Sequence, residues 1–178
     1  ANRGHDCLSH RGIAKELSAI LQLPMRSDPL RQPLKLEPKT EHIDISIQEP
    51  RLCNRYVAAY IRNIKVGPSP EWLKKSLEAI GQRSINNVVD ATNYVMFGIG
   101  QPLHAFDAGQ LNQGPSLVNT KDGPWYSIMM RKAKSGEKIM ALDNKEYELT
   151  DSMLLVVDAS TDTPIGIAGV KGGKPAGV

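Results

Sequence analysis

Apolar residues recur at helical spacing between Ser9 and Leu23. Ile13, Leu17, Ile20 and Leu21 share one face, Ser9 stands at the N-cap position, and Pro24 marks the stop. From Met25 to Thr40 the periodicity disappears, and Pro29, Pro33 and Pro38 among polar residues predict an extended connector. Ile43, Ile45 and Ile47 alternate with polar residues, the pattern of a half-buried strand, and Tyr56 to Val66 is a second strand candidate rich in β-formers. Gly67-Pro-Ser-Pro-Glu-Trp72 announces a helix, with Ser69 as cap, Pro70 at the first helical position and Glu71 at the positive end of the dipole. Its apolar face is Leu73, Leu77 and Ile80, and Gly81 closes it. A further short helix is expected from Asn87 to Phe97, closed by Gly98.

Beyond Pro102 the period changes. Ser127–Ala133, Ile139–Leu142, Glu146–Leu149, Leu154–Ala159 and Ile165–Val170 read as successive strands, with Asp143-Asn144 and Asp162-Thr-Pro164 supplying turns. Asn112–Tyr126, with Gly114-Pro115 and Gly123-Pro124, reads as a long surface loop. Helices in the first half and strands in the second predict an α+β fold with a mostly antiparallel or mixed sheet.

Composition narrows the class without naming a chemistry. A chain of 178 residues supports one substantial core or two small ones, and its apolar and charged fractions are those of a folded protein. It holds no apolar run near the ~20 residues of a membrane helix, and two cysteines make no disulfide framework. Both point to a soluble cytoplasmic protein. The formal charge of +3 is compatible with an RNA partner but does not require one. The chain opens on Ala1 and closes on a glycine-rich run, so it reads as a piece of a longer protein.

Three candidate sites follow from residue type. His5, Cys7 and His10 are metal-capable, but a zinc site needs about four ligands and only the distant Cys53 could add another, so no metal is expected. The run Gly166-Ile-Ala-Gly-Val-Lys-Gly-Gly-Lys174 fails as a Walker loop, because Ala168 and Pro175 occupy the glycine and hydroxyl positions. It also fails as a dinucleotide fingerprint. What survives is close backbone approach to a ligand or chain, or simply a tight turn. His104 follows the stiff Pro102 and could orient a water or bind a substrate carbonyl, although a lone histidine in apolar company is more often structural. Arg83 and Asn93 flank apolar runs, where the reading as solvated or capping residues normally wins.

Taken together, five strings change this picture. They are Asn2-Arg-Gly-His-Asp-Cys-Leu-Ser9, Val66-Gly-Pro-Ser-Pro-Glu-Trp-Leu73, Arg83-Ser-Ile-Asn-Asn-Val-Val-Asp-Ala-Thr-Asn-Tyr-Val95, Gly100-Gln-Pro-Leu-His-Ala-Phe-Asp107 and Ala168-Gly-Val-Lys-Gly-Gly173. In this order and spacing the chain resembles the beta subunit of bacterial phenylalanyl-tRNA synthetase in its B3/B4 domain. The departure is Asn112–Tyr126, longer than the family's strand connection.

The resemblance implies an editing function, the hydrolysis of tyrosine wrongly esterified to the phenylalanine tRNA. It implies His104 as the catalytic residue, positioning ester or water, with Arg83, Asn93, Pro102 and Gly172 lining the substrate pocket. Residues 1–23 then form an N-terminal helix segment, 24–40 a connector, and 41–178 the editing domain. The family's tyrosine-recognising glutamate and a Thr-x-Ala element lie downstream of Val178, so this stretch alone is expected to edit weakly or not at all. No cofactor is implied within it, while ATP and magnesium serve the whole synthetase elsewhere. The implied partners are the misacylated tRNA 3′ end and the alpha subunit, in a heterotetramer of two alpha and two beta chains. The alternatives are a non-catalytic scaffold for the alpha subunit or an RNA-binding module. The latter finds little support in nine aromatic residues with no basic-aromatic stripe.

Overall fold

The computed structural model describes residues 4, 6–26, 42–112 and 125–178. Most of the proline-rich connector, His5 and most of the Asn112–Tyr126 loop lie outside the described residues. The chain divides into two compact units. One holds described residues up to 26 together with Lys65–Ala105, and the other holds residues 42–64 together with Phe106–Val178.

The first unit is helical. Helix α1 spans His10–Leu21, and the Ser9 side chain caps it by accepting from the Gly12 amide at 3.1 Å. The helix ends before Pro24 is reached, because Gln22 turns into the left-handed region at φ 54°. Its stripe of Ile13, Leu17, Ile20 and Leu21 is exposed, Leu17 to 51%. Helix α2 spans Glu71–Glu78 and buries Leu73 and Leu77. Ile80 is more exposed than the pattern suggests.

The expected cap of α2 is not made. Pro70 occupies the N-cap position, and the Ser69 hydroxyl is turned away to Asp90 Oδ2 at 2.5 Å. Helix α3 spans Asn87–Ile99, capped by Asn86, whose side chain accepts from the amides of Val88 and Val89 at 3.1 and 2.9 Å. Gly98 continues this helix instead of ending it. Gly100 closes it, because only there does φ reach 86°, which a side chain would strain.

The second unit is built on a five-stranded sheet in the order β1-β2-β5-β6-β7. Its strands are β1 (Ile43–Ile47), β2 (Tyr126–Lys132), β5 (Leu154–Asp158), β6 (Thr163–Ile167) and β7 (Lys171–Gly172). β1 runs parallel to β2 and the other pairings are antiparallel, so the sheet is mixed. A separate hairpin joins β3 (Lys138–Met140) to β4 (Glu146–Glu148). The fold is α+β, as expected from the order of elements.

Both faces of the sheet are covered, which explains the unbroken apolar run of β5. Ile128, Met130, Val156 and Ile165 form one cluster with Ala176, against which Ile45, Tyr56, Phe106 and Leu111 pack. Leu155 and Val157 form the other with Ala133, Ile139 and Leu149. A strand buried on both sides has no polar face to alternate with.

One predicted strand does not form. Tyr56–Val66 is extended and alternates, with Tyr56, Ala58 and Tyr60 half-buried and Val57 exposed to 69%, but it enters no ladder among the described residues. Period two specifies which side chains share a face. It does not supply a neighbouring strand.

A buried guanidinium ties the β2–β3 turn to the β5–β6 turn. Arg131 is 6% exposed and all five of its N–H donors are satisfied. Nη1 and Nη2 donate to Glu137 at 2.9 and 2.7 Å, Nε donates to Asp162 Oδ1 at 2.7 Å, and the backbone carbonyls of Lys132 and Asp162 take the other two.

Candidate functional site

The segment from Arg83 to Asn93 is organised around Asp90, a residue that the sequence does not mark as buried. Asp90 is 0% exposed and has no cationic partner among the bonds to its carboxylate. Its oxygens accept from the Ser69 hydroxyl at 2.5 Å, the Ser84 hydroxyl at 2.6 Å and the Ile85 amide at 2.9 Å. Burial acts to raise its pKa, but these three hydrogen bonds outweigh burial and hold the carboxyl below its ordinary value. One side chain thus joins the segment leading into α2, the turn before α3 and α3 itself. Asn87 adds a second tie, donating to the Lys65 carbonyl at 2.9 Å and accepting from the Gly67 amide at 3.1 Å.

Arg83 and Asn93 lie at the two ends of this braced segment. The Arg83 side chain is exposed and makes no ion pair among the described residues. Asn93 sits in α3, half-buried, and its amide has no hydrogen-bond partner among the described residues. Neither acts as a cap. The N-cap duty is carried by Asn86, so the polar capacity of Arg83 and Asn93 is available to a ligand.

Pro102 and His104 follow α3 in the irregular stretch 101–107. Pro102 is exposed, and its carbonyl accepts from the Gln101 side chain at 3.1 Å. His104 is exposed as a residue, yet the protein around its ring disfavours the charged form and pushes its pKa below the usual histidine value. Burial of the ring thus favours the neutral imidazole over the imidazolium. Arg83, Asn93, Pro102 and His104 all belong to the first unit.

Gly172 belongs to the second unit and is described there by itself. It lies in β7 opposite Gly166, and its carbonyl accepts from the Leu142 amide at 3.1 Å. The close approach expected of the glycine pair is carried by its neighbour Gly173. A Cβ at Gly173 would lie 2.8 Å from the Ile165 carbonyl oxygen and 3.0 Å from Ile139 Cδ1. The glycines serve strand packing at that point, and the tight-turn reading holds at Gly169, where φ is 71°.

The metal-capable residues near the N-terminus sort differently from the sequence expectation. Cys7 groups with Asp6 and Glu16, their ligand atoms within 4.8 Å of one another. His10 instead turns Nδ1 to the Phe97 carbonyl at 3.1 Å. Among the described residues, no helix is long and apolar enough to cross a membrane.

Comparison with known proteins gives this arrangement a context. The B3/4 domain family model matches residues 52–178. The phenylalanine–tRNA ligase beta subunit of Carboxydothermus hydrogenoformans is 43% identical over 174 residues, which cover 97% of this chain and 20% of that protein. The subunit of the same name from Bdellovibrio bacteriovorus is 42% identical over 180 residues, covering 100% and 20%. That of Dehalococcoides mccartyi is 44% identical over 174 residues, covering 97% and 20%. The chain thus spans about a fifth of the length of these curated relatives.

Proposed function

The chain belongs to the B3/4 domain family of phenylalanine–tRNA ligase beta subunits, and from this premise we propose that, as part of a full-length beta subunit, it serves to hydrolyse tyrosine misattached to the phenylalanine tRNA, with little or no editing by this stretch alone. Residues 41–178 form the editing domain in this reading, within a beta subunit that partners an alpha subunit in a heterotetramer of two alpha and two beta chains. ATP and magnesium serve aminoacylation in that whole enzyme, at a site outside this chain.

The physical need is specific. A pocket shaped for phenylalanine rejects an added hydroxyl by only about 10²-fold, because apolar contact discriminates isosteres poorly. A second pocket that hydrogen-bonds the hydroxyl selects the opposite way, since phenylalanine entering it leaves buried polar groups unpaired at about 1–3 kcal/mol each.

The observation that carries the reading is the pair Arg83 and Asn93. Both side chains stand on a segment braced by a buried carboxylate, and neither has a hydrogen-bond or ion-pair partner among the described residues. Asn93 is half-buried, so its amide stays within reach of water or a ligand. Arg83 suits the phosphate or ribose of the tRNA terminus, and Asn93 the polar groups of the aminoacyl ester.

His104 positions the attacking water or the ester, and Pro102 stiffens the backbone before it. The reaction adds water to the ester carbonyl and expels the ribose oxygen, which takes a proton. The products are free tyrosine and tRNA with its terminal hydroxyl restored. The ester is already activated, so a neutral imidazole that accepts a hydrogen bond from water is sufficient. Gly172 keeps the role the resemblance implies, steric room for the amino acid.

The test is deacylation of Tyr-tRNA by the full-length ligase. His104→Ala is expected to slow it at least about tenfold, with phenylalanine aminoacylation retained. Unchanged deacylation in that variant would remove His104 from the reaction.

A further inference from the structure

Strand β7 is two residues long, and its ladder to β6 has only the pairs Gly166–Gly172 and Ile167–Lys171. So short a pairing sets position weakly. The β3–β4 hairpin supplies what the ladder lacks, because it grips each residue from Lys171 to Lys174.

Lys171 Nζ donates to Asp143 Oδ2 at 2.7 Å and to the Tyr147 hydroxyl at 3.0 Å, and it lies 4.9 Å from the centre of the Tyr147 ring. The Tyr147 hydroxyl in turn donates to Asp143 Oδ2 at 2.8 Å, closing a triangle in which every donor is used in one direction. The Gly172 carbonyl accepts from the Leu142 amide, Gly173 bridges to Ala141, and Lys174 Nζ donates to Asn144 Oδ1 at 2.9 Å. Asp143 and Asn144 form the tip of the hairpin, where Asn144 adopts φ 60°.

An isolated ion pair that is one-third exposed, as Lys171–Asp143 is, contributes little. Three groups that each bond the other two behave as a unit, and the unit fails when one member is lost. Its position is also specific, since the clasp closes on the residue immediately before Gly172.

We propose that the Asp143–Tyr147–Lys171 triangle is a positioning device that sets the Gly172 backbone for amino-acid selection in ester hydrolysis. The inference rests on the editing function proposed above. These three residues act through Gly172 and make no contact with the reacting atoms.

The experiment uses the full-length ligase with Tyr-tRNA and Phe-tRNA as substrates, measuring kcat and KM of deacylation for each. Asp143→Asn and Lys171→Met are each expected to lower the Tyr-over-Phe preference by about fivefold through KM, with kcat little changed. Tyr147→Phe, which removes only the shared hydroxyl, is expected to give a smaller loss in the same direction. The exchanged pair Asp143→Lys with Lys171→Asp is expected to recover part of the preference, which a general loss of stability would not do. Wild-type preference in both single variants overturns the clasp and leaves the editing reading standing. Absence of Tyr-tRNA deacylation by the unsubstituted enzyme overturns the editing reading, and the clasp falls with it.

Discussion

Among the described residues the helical unit buries Asp90 and the sheet unit buries Arg131 and Asp158, and the hubs at Asp90 and Arg131 are satisfied with opposite chemistry. In the sheet unit, the Arg131 guanidinium is matched by two carboxylates and two backbone carbonyls. In the helical unit, the Asp90 carboxylate is matched only by neutral donors, two hydroxyls and an amide. Arg131 ties turns beside a large apolar core that has its own reasons to form. Asp90 stands where the buried apolar side chains are few, chiefly Leu73 and Leu77. A buried charge matched by opposite charges is sensitive to loss of either partner, while one matched by hydroxyls is sensitive above all to its own protonation.

Removing each ion tests that contrast. Arg131→Ala is expected to have the largest effect, about 3–5 kcal/mol in a denaturant titration, because Glu137 loses its guanidinium partner and Asp162 keeps only Lys134. Arg131→Met fills the volume but still removes the guanidinium from Glu137 and Asp162, so it should recover only part of the loss. Recovery to wild-type stability would show that packing, not charge, is what Arg131 contributes.

Asp90→Asn follows, at about 2 kcal/mol near neutral pH, since an amide offers one acceptor oxygen where the carboxylate offers two. Its pH dependence separates the two hubs further. The folded Asp90 pKa is depressed, so its stabilisation is fully present above the unfolded carboxylate value of about 4 and is lost as pH falls through the folded value. Glu137, held down first by Arg131, and Asp162, held down first by Lys134, are depressed in the same direction. The wild type should therefore lose stability below about pH 4, and Asp90→Asn should lose less over that window. Parallel acid profiles would show that Asp90 does not contribute to the acid sensitivity. The smallest effect is expected on the exposed stripe of α1, where Leu17→Ser should shift stability by no more than about 0.5 kcal/mol.

Much of this architecture is legible without coordinates, and the misses share a cause. Local rules succeed where the chain consults only its neighbours. Ser9 caps α1, Ile43, Ile45 and Ile47 lie on a strand, and Asp143-Asn144 makes its turn. They fail where a remote residue outbids the local one. Ser69 would cap α2, but the buried Asp90 offers its hydroxyl a stronger partner, twenty-one positions along the chain. Gly98 would end α3, but Gly100 makes the left-handed turn and Gly98 stays helical.

The candidate site divides in the same way. Arg83, Asn93, Pro102, His104 and Gly172 were accessible as members of ordered strings whose resemblance pointed to a family, and the family match bears out that resemblance. Composition and spacing alone could not have raised them above solvated or structural residues. Asp90 and Lys171 stand in the same strings, but nothing in them marks Asp90 as buried or joins Lys171 to Asp143 and Tyr147, because burial and side-chain convergence are properties of packing.

By itself, the sequence determined the element types, most of their boundaries, the α+β class and the family, since each depends on short-range periodicity or ordered motifs. Only the tertiary structure decided which polar residues spend their hydrogen bonds on the fold and which do not. It also decided that Tyr56–Val66 finds no strand to pair with among the described residues, and that a hairpin grips the residues around Gly172. The physical reason is that a hydrogen bond is allotted by competition among all groups within about 3 Å, and that neighbourhood is assembled from residues far apart in the chain.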